Sequence, residues 1–291
     1  MPSPTESPFT WSVAPTLKVL ALRTPTLPPA TATNAVLAGH APWVVDPATP
    51  HAAERDRLVD ALEALRDSGE GPRGIVLTHH HADHIGAAAY LSERLGLEIW
   101  AHARTAELIA DTLTVSHTLA DGDDLEGWRV LHTPGHASGH IVLFDEVRGF
   151  MVGGDMLASV GTIVVDPPDG HMATYLASLA RLRELGPKVI VPAHGAPIDR
   201  PVALIDHYVA HRLQREAKVA SALGPEPRPL DLITRAAYPE LAPALLPLAA
   251  RSALAHLEKL WEEGRAAPHE APVDTQGRRP TVSPQLLWRA A

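Results

Sequence analysis

The chain has 291 residues, 45% of them hydrophobic, with a formal charge of −9 and no cysteine. That length suits one large domain, or a medium domain with a small one. The missing cysteines exclude disulfides and thiolate ligands, so any metal must be held by nitrogen and oxygen. No apolar run approaches the ~20 residues a membrane span needs. The start, MPSPTESPFTWSV, lacks a basic stretch followed by an apolar one, so a cytoplasmic chain with no membrane partner is expected. Roughly ten more acids than bases lie in residues 1–200, which argues against a whole surface built to grip nucleic acid.

Residues 1–16 are rich in Pro, Ser and Thr and read as an N-terminal arm. Short apolar runs at 17–22, 35–38 and 43–45 predict strands separated by turns. Leu58, Ala61, Leu62 and Leu65 recur at helical spacing and predict a helix over 52–66, ending near Gly69 and Gly71. Residues 74–77 predict a buried strand running directly into Thr78, followed by a helix over 87–95, a strand at 98–101 and a helix near 105–110. Further strands are expected at 128–132, 141–144, 149–152 and 188–191, with a helix over 172–185. Strands alternating with helices predict an α/β region over 17–205. Beyond it the strands stop: helices over 205–223, 229–238 and 243–263 predict a small helical domain over 206–268, in an order that resembles a winged-helix core. Residues 269–291 read as a Pro-rich tail, and its Trp288 is expected to dock on its own chain or on a second copy, as in a homodimer.

The chemistry lies in four elements, each just past a predicted strand end, where α/β folds gather their sites. The first is His79-x-His81-x-Asp83-His84. Two histidines two apart on such a loop can share one ion, and Asp83 and His84 fall on the next turn, in reach of a second. The others are His136 in Thr-Pro-Gly-His, Asp155 in Gly-Gly-Asp and His194 in Pro-Ala-His-Gly. Pro134 and Gly135 make a tight turn that aims an imidazole, and a carboxylate such as Asp155 can bridge two cations. Five imidazoles and two carboxylates suit two divalent ions ~3.5–4 Å apart. Zinc is the first choice, with iron or manganese as alternatives.

The ordered set THHHADH, TPGH, GGD and PAHG resembles the metallo-β-lactamase superfamily. The resemblance implies a four-layer αβ/βα sandwich with the metals at one edge and a small winged-helix-like C-terminal domain. It puts His79, His81 and His136 on one ion, Asp83, His84 and His194 on the other, and Asp155 between them. Thr33-Asn34, Gly161-Thr162, Tyr175-Leu176 and Ser178-Leu179 are similar to a narrower branch, which holds a β-lactamase-like endoribonuclease and polyketide thioesterases. Val36 and His80 depart from that branch, which makes both candidate substrate contacts. The ~40 residues between Asp155 and His194 leave no room for the large insertion of the processing nucleases.

The implied mechanism is hydrolysis by a water or hydroxide held between the ions, with its pKa lowered from 15.7 to roughly 7. Asp83 is expected to orient that water or shuttle its proton. His80, His140 and His171 are candidate supports or substrate contacts, and Thr78 and Thr133 candidate partners of the ligating rings. Most remaining histidines, His256 among them, are expected at the surface. Arg212, Arg215 and Lys218 share a helix face that reads as solvated or as a phosphate contact. The expected substrate is a carbonyl compound such as a thioester, lactone or β-lactam, with single-stranded RNA as the alternative; a non-catalytic scaffold fits worst.

Overall fold

The structure, a computed structural model, describes residues 9–269 and 282–291. Half of the predicted arm (1–8) and part of the predicted tail (270–281) lie outside the described residues. In chain order the first half comprises β1 (Trp11–Ala14), β2 (Leu17–Arg23), β3 (Ala32–Ala38), β4 (Trp43–Val45), α1 (Ala52–Asp67), β5 (Gly74–Leu77), α2 (Ala82–Ile85), α3 (Ala88–Leu95), β6 (Ile99–His102), α4 (Ala103–Leu108) and β7 (His117–Leu119). Then come β8 (Arg129–His132), β9 (Ile141–Asp145), β10 (Phe150–Gly154), α5 (Met172–Leu185), β11 (Val189–Pro192), α6 (Pro201–Ser221), β12 (Arg228–Pro229), α7 (Leu230–Ala237), α8 (Leu246–Glu262), β13 (Ala266–His269) and β14 (Leu287–Ala290).

These elements fall into two compact units. The first is Met1–Thr133, Gly139–Ile163 and Leu185–Val202. It holds a seven-stranded sheet in the order β1-β2-β3-β4-β5-β6-β7 and a four-stranded sheet in the order β11-β10-β9-β8. Strands β1 to β4 run antiparallel to their neighbours and β4 to β7 run parallel. All four residues of β5 are buried, as suits a parallel strand covered on both faces. One core lies between the sheets, where Val19, Val36, Val45 and Val76 meet Val130, Leu143, Val152 and Val191. Leu20, Leu37 and Ile75 point the other way, into a second core against Leu58 and Leu62 of α1 and Leu91 of α3. Period-two alternation along β2 and β3 feeds both cores at once. The unit is a mixed α/β sandwich.

The second unit is Pro134–Ser138, Val164–Glu184 and Ala203–Ala291. Its helices α7 and α8 pack around Ile233, Ala253, Leu254, Leu257 and Leu260. The Pro-rich tail reading needs correction. Residues 287–290 form β14, which pairs antiparallel with β12 and β13, and Trp288 is fully buried in this unit's core, docked on its own chain. Two short strands flanking one that arrives late make a wing that helical periodicity does not announce. Residues 11–14, read as part of an arm, likewise pair with β2 as an edge strand. Among the described residues no helix is long and apolar enough to cross a membrane.

Candidate metal centre

The ligand candidates leave their strands at C-terminal ends. Leu77 closes β5 before His79, Gly154 closes β10 before Asp155, and Pro192 closes β11 before His194. The His136 loop joins β8 to β9; it is counted with the second unit, but both its ends, Thr133 and Gly139, belong to the first. Three groups of side chains bring their ligand atoms within 4.8 Å of one another: His79, His81 and His136; His79, His84 and Asp155; and Asp83, His84 and His194. All seven predicted ligands occur in these groups. His79, His84, His136, Asp155 and His194 are buried, while His81 and Asp83 are half-buried at the open side.

Each imidazole is oriented by what its other nitrogen meets. His84 Nδ1 lies 2.8 Å from Asp46 Oδ2, and His194 Nδ1 lies 3.1 Å from the Ala32 carbonyl. His136 Nδ1 lies 2.6 Å from the Val164 carbonyl. These acceptors require the proton on Nδ1, which leaves the Nε2 lone pair to coordinate. His79 follows through one more link. Thr78 Oγ1 donates to Asp46 Oδ2 at 2.7 Å, so it accepts from His79 Nδ1 at 3.0 Å and again exposes Nε2. His81 offers the opposite nitrogen, with Nδ1 2.9 Å from His79 Nε2.

The donor spacing fits cations. Two donors at 2.0–2.2 Å from one tetrahedral ion are about 3.4 Å apart. His194 Nε2 stands 3.5 Å from Asp155 Oδ1 and 3.7 Å from Asp83 Oδ2; His84 Nε2 stands 3.6 Å from Asp155 Oδ1 and 3.9 Å from Asp83 Oδ1. His84 Nε2 is buried without a hydrogen-bond partner, which a protein tolerates where a ligand takes the place. Burial opposes charge on His84, but Asp155 and Asp46 outweigh it and hold its pKa well above the usual imidazole value. Burial likewise opposes charge on Asp155, and His84 and His194 outweigh it, so that carboxyl stays ionised far below its usual range. The site is therefore built as ion-pair partners that a cation can replace.

Of the candidate supports, His140 is fully buried and accepts from the Asp155 backbone N–H at 3.0 Å, with Thr133 Oγ1 2.9 Å from its Nδ1. A side chain on Gly154, which has φ +49°, would strike His140 Nε2 at 2.5 Å, so glycine there lets this support come close. His80 belongs to none of the three groups; its ring sits 4.6 Å from that of His81. His171 is engaged by Thr174 and Glu262 within the second unit. Two further residues, Asp46 and Thr26, escaped the sequence reading. Asp46, with φ 50°, accepts from the Thr78 amide as well as from Thr78 Oγ1. Thr26 Oγ1 donates to Asp83 Oδ2 at 2.6 Å. Asn34 was noted only for resemblance; its Nδ2 donates to the Pro192 and Gly195 carbonyls, both at 2.8 Å, and so brackets His194. The one local signal for Asp46 is an acid followed by proline directly after a buried strand.

The chain is similar to several known proteins. The probable metallo-hydrolase YqjP of Bacillus subtilis (strain 168) is 30% identical over 275 residues, covering 77% of this chain and 86% of that protein. The atrochrysone carboxyl ACP thioesterase of Aspergillus terreus (strain NIH 2624 / FGSC A1156) is 29% identical over 163 residues, 55% of this chain and 48% of its own. The metallo-β-lactamase family protein TTHA1429 of Thermus thermophilus shares the fold, with a TM-score of 0.74 at 24% identity over 96% of this chain and 100% of that one. The β-lactamase-associated winged helix domain matches residues 230–274. The metallo-β-lactamase superfamily matches residues 30–194, the stretch that carries all seven ligand candidates, and the chain belongs to that superfamily.

Proposed function

We propose that the protein is a dinuclear zinc hydrolase that cleaves an ester-type bond at a carbonyl carbon, with a thioester as the foremost substrate and lactones or β-lactams as relatives. His79, His81 and His136 would hold one ion, Asp83, His84 and His194 the other, and Asp155 would serve both. The observation that carries the reading is the donor set itself: four imidazoles turned to present Nε2, with carboxylate oxygens 3.5–3.9 Å from two of them. When bound, the pair supplies the acidification of water and the polarisation of a carbonyl oxygen that hydrolysis needs.

The chain's own residues supply the rest. Asp83 is the more exposed carboxylate of the two, 19% against 9% for Asp155, and it stands where solvent and substrate arrive. Thr26 steadies its Oδ2, and Asp83 takes up the proton released in the attack and passes it to the leaving group. Asp155, its backbone amide held by His140, stays a fixed ionised partner.

Two observations favour a carbonyl substrate over RNA. The cations that would grip a phosphate backbone are paired or buried within the second unit. Arg215 donates to Glu240 at 2.8 Å, Lys218 lies 3.8 Å from the same carboxylate, and Arg212 is 4% exposed, over the Tyr175 ring. A mostly apolar groove of about 350 Å³ in the first unit, lined by Pro25, Ala82, Ile85, Ala89, Thr112 and Leu113, would suit an acyl group. The test is a side-by-side assay of the zinc-loaded protein on an acyl thioester, a lactone, nitrocefin and labelled single-stranded RNA, with metal content measured in parallel. Turnover of the thioester, lost on chelation and restored by zinc, is expected. Cleavage of RNA alone, or full activity in metal-free protein, would overturn the proposal.

A further inference from the structure

We infer that the C-terminal helical module is a positioning device for the metal ligand His136, and that Glu262 and Arg251 of α8 are its positioning residues. The inference rests on the reading that His136 holds a cation with His79 and His81, and it follows a chain of bonds inside the second unit. The His136 ring is aimed by the Val164 carbonyl at 2.6 Å. Val164 opens the stretch 164–171, which contains no helix or strand and so cannot hold itself in place by a regular ladder. What binds this stretch to the His136 loop is specific. His171 N–H donates to the Gly135 carbonyl at 2.7 Å, and Asp169 accepts from both the amide and the hydroxyl of Ser138. Gly135, at φ +135°, packs so closely that an added Cβ would lie 2.2 Å from the Tyr175 Cα.

Helix α8 then fastens the stretch at two points. Arg251 Nη2 donates to Asp166 Oδ2, and Glu262 Oε1 lies 2.9 Å from His171 Nε2. Arg251 and Glu262 lie eleven positions apart along the helix, a span of roughly 16 Å, so the helix grips the stretch near its beginning and at its end. The Glu262 contact is mostly shielded, its partners being 25% and 19% exposed, and is worth more than a surface pair. The helix therefore controls the position of a carbonyl that sets the tautomer and direction of a ligating ring. Partners of ligating histidines typically govern metal affinity 10–100-fold.

The experiment uses the full chain. Cobalt(II) and zinc affinities are measured by competition with a chromophoric chelator, together with the cobalt absorption spectrum, for the parent, His136→Ala, Glu262→Gln, Arg251→Ala and Arg183→Ala. Arg183 pairs with the exposed Asp206 in the same unit and touches none of the stretch, so it reports the effect of losing an ion pair as such. Expected is a loss of about 10-fold, at the low end of the range for ligand partners, in one of the two sites for Glu262→Gln and Arg251→Ala. The cobalt spectrum should shift as well, with Arg183→Ala unchanged and His136→Ala weaker than all. Parent-like affinity and spectrum in both clamp variants, with His136→Ala still impaired, would overturn the inference alone. Parent-like binding in His136→Ala would overturn the ligand assignment and the inference with it. Each clamp variant releases a different end of the stretch, so if one proves unfolded by circular dichroism the other decides.

Discussion

Asp46→Asn is the sharpest perturbation of the site. Asparagine tolerates the left-handed backbone that Asp46 adopts at φ 50° and has nearly the same shape, so the backbone stays as it is. The carboxylate receives three donors: the Thr78 amide at 2.8 Å on Oδ1, and Thr78 Oγ1 at 2.7 Å with His84 Nδ1 at 2.8 Å on Oδ2. An amide has one acceptor oxygen. With its oxygen towards the Thr78 amide, its NH₂ faces His84 and Thr78 Oγ1, and His84 must move its proton to Nε2, where it can no longer coordinate. With the amide turned, NH₂ faces the Thr78 N–H, a buried donor against a donor, costing about 1–3 kcal/mol. Either way the His84 site suffers, and the expected loss of metal affinity is about 10–100-fold, or roughly 1.4–2.7 kcal/mol. Chelator competition on the purified variant, with circular dichroism to confirm folding, measures it. A folded Asp46→Asn protein that binds two zinc ions as tightly as the parent would refute the claim that this carboxylate sets the His84 tautomer.

Two further outcomes are expected. Asn34→Ala removes the donor shared by the Pro192 and Gly195 carbonyls; stability should fall by about 1–3 kcal/mol and zinc retention should drop at the His194 site, both absent if Asn34 merely fills space. His256 is fully buried with neither ring nitrogen hydrogen-bonded. Burial, helped by Arg212 and Lys259 and opposed by Glu216, holds it below the usual imidazole value of 6.5. The unfolded chain therefore takes up this proton first, so stability is full above about pH 6.5 and is lost as pH falls through the window below it. His256→Leu should be neutral or stabilising at pH 7.5 and should flatten the loss on going to pH 5.5. Denaturant melts at both values check this, and an unchanged difference between them would show that His256 is not the group responsible.

The candidate ligands were legible because coordination chemistry restricts residue type, and because each sits one to seven residues past the end of an apolar strand that the period of the sequence reveals. Asp46 was not, since its partners Thr78 and His84 lie 32 and 38 residues along the chain and meet it only once β4 and β5 pair in parallel. The wing was illegible for a related reason: a four-residue strand has too few positions to show a period, and β14 finds both its partners at a distance in sequence. His256 is a different case. Ala249, Ala253, His256, Leu257 and Leu260 share the inward face of α8, and the spacing alone would have moved His256 from the surface to the core. Substrate choice is the least legible property of all. A dinuclear centre that acidifies water would serve a thioester and a phosphodiester equally, so selectivity would come from groups that the ligand pattern does not constrain. Where a basic side chain ends up is one such property. Arg212, Arg215 and Lys218 look alike in sequence to a phosphate-binding face, and only the positions of Glu240, Tyr175 and Tyr238 reveal that Arg212 and Arg215 are withdrawn from solvent and that Lys218 lies beside a carboxylate. In the proposed function it is that placement, rather than the candidate ligands, that favours a carbonyl substrate over RNA.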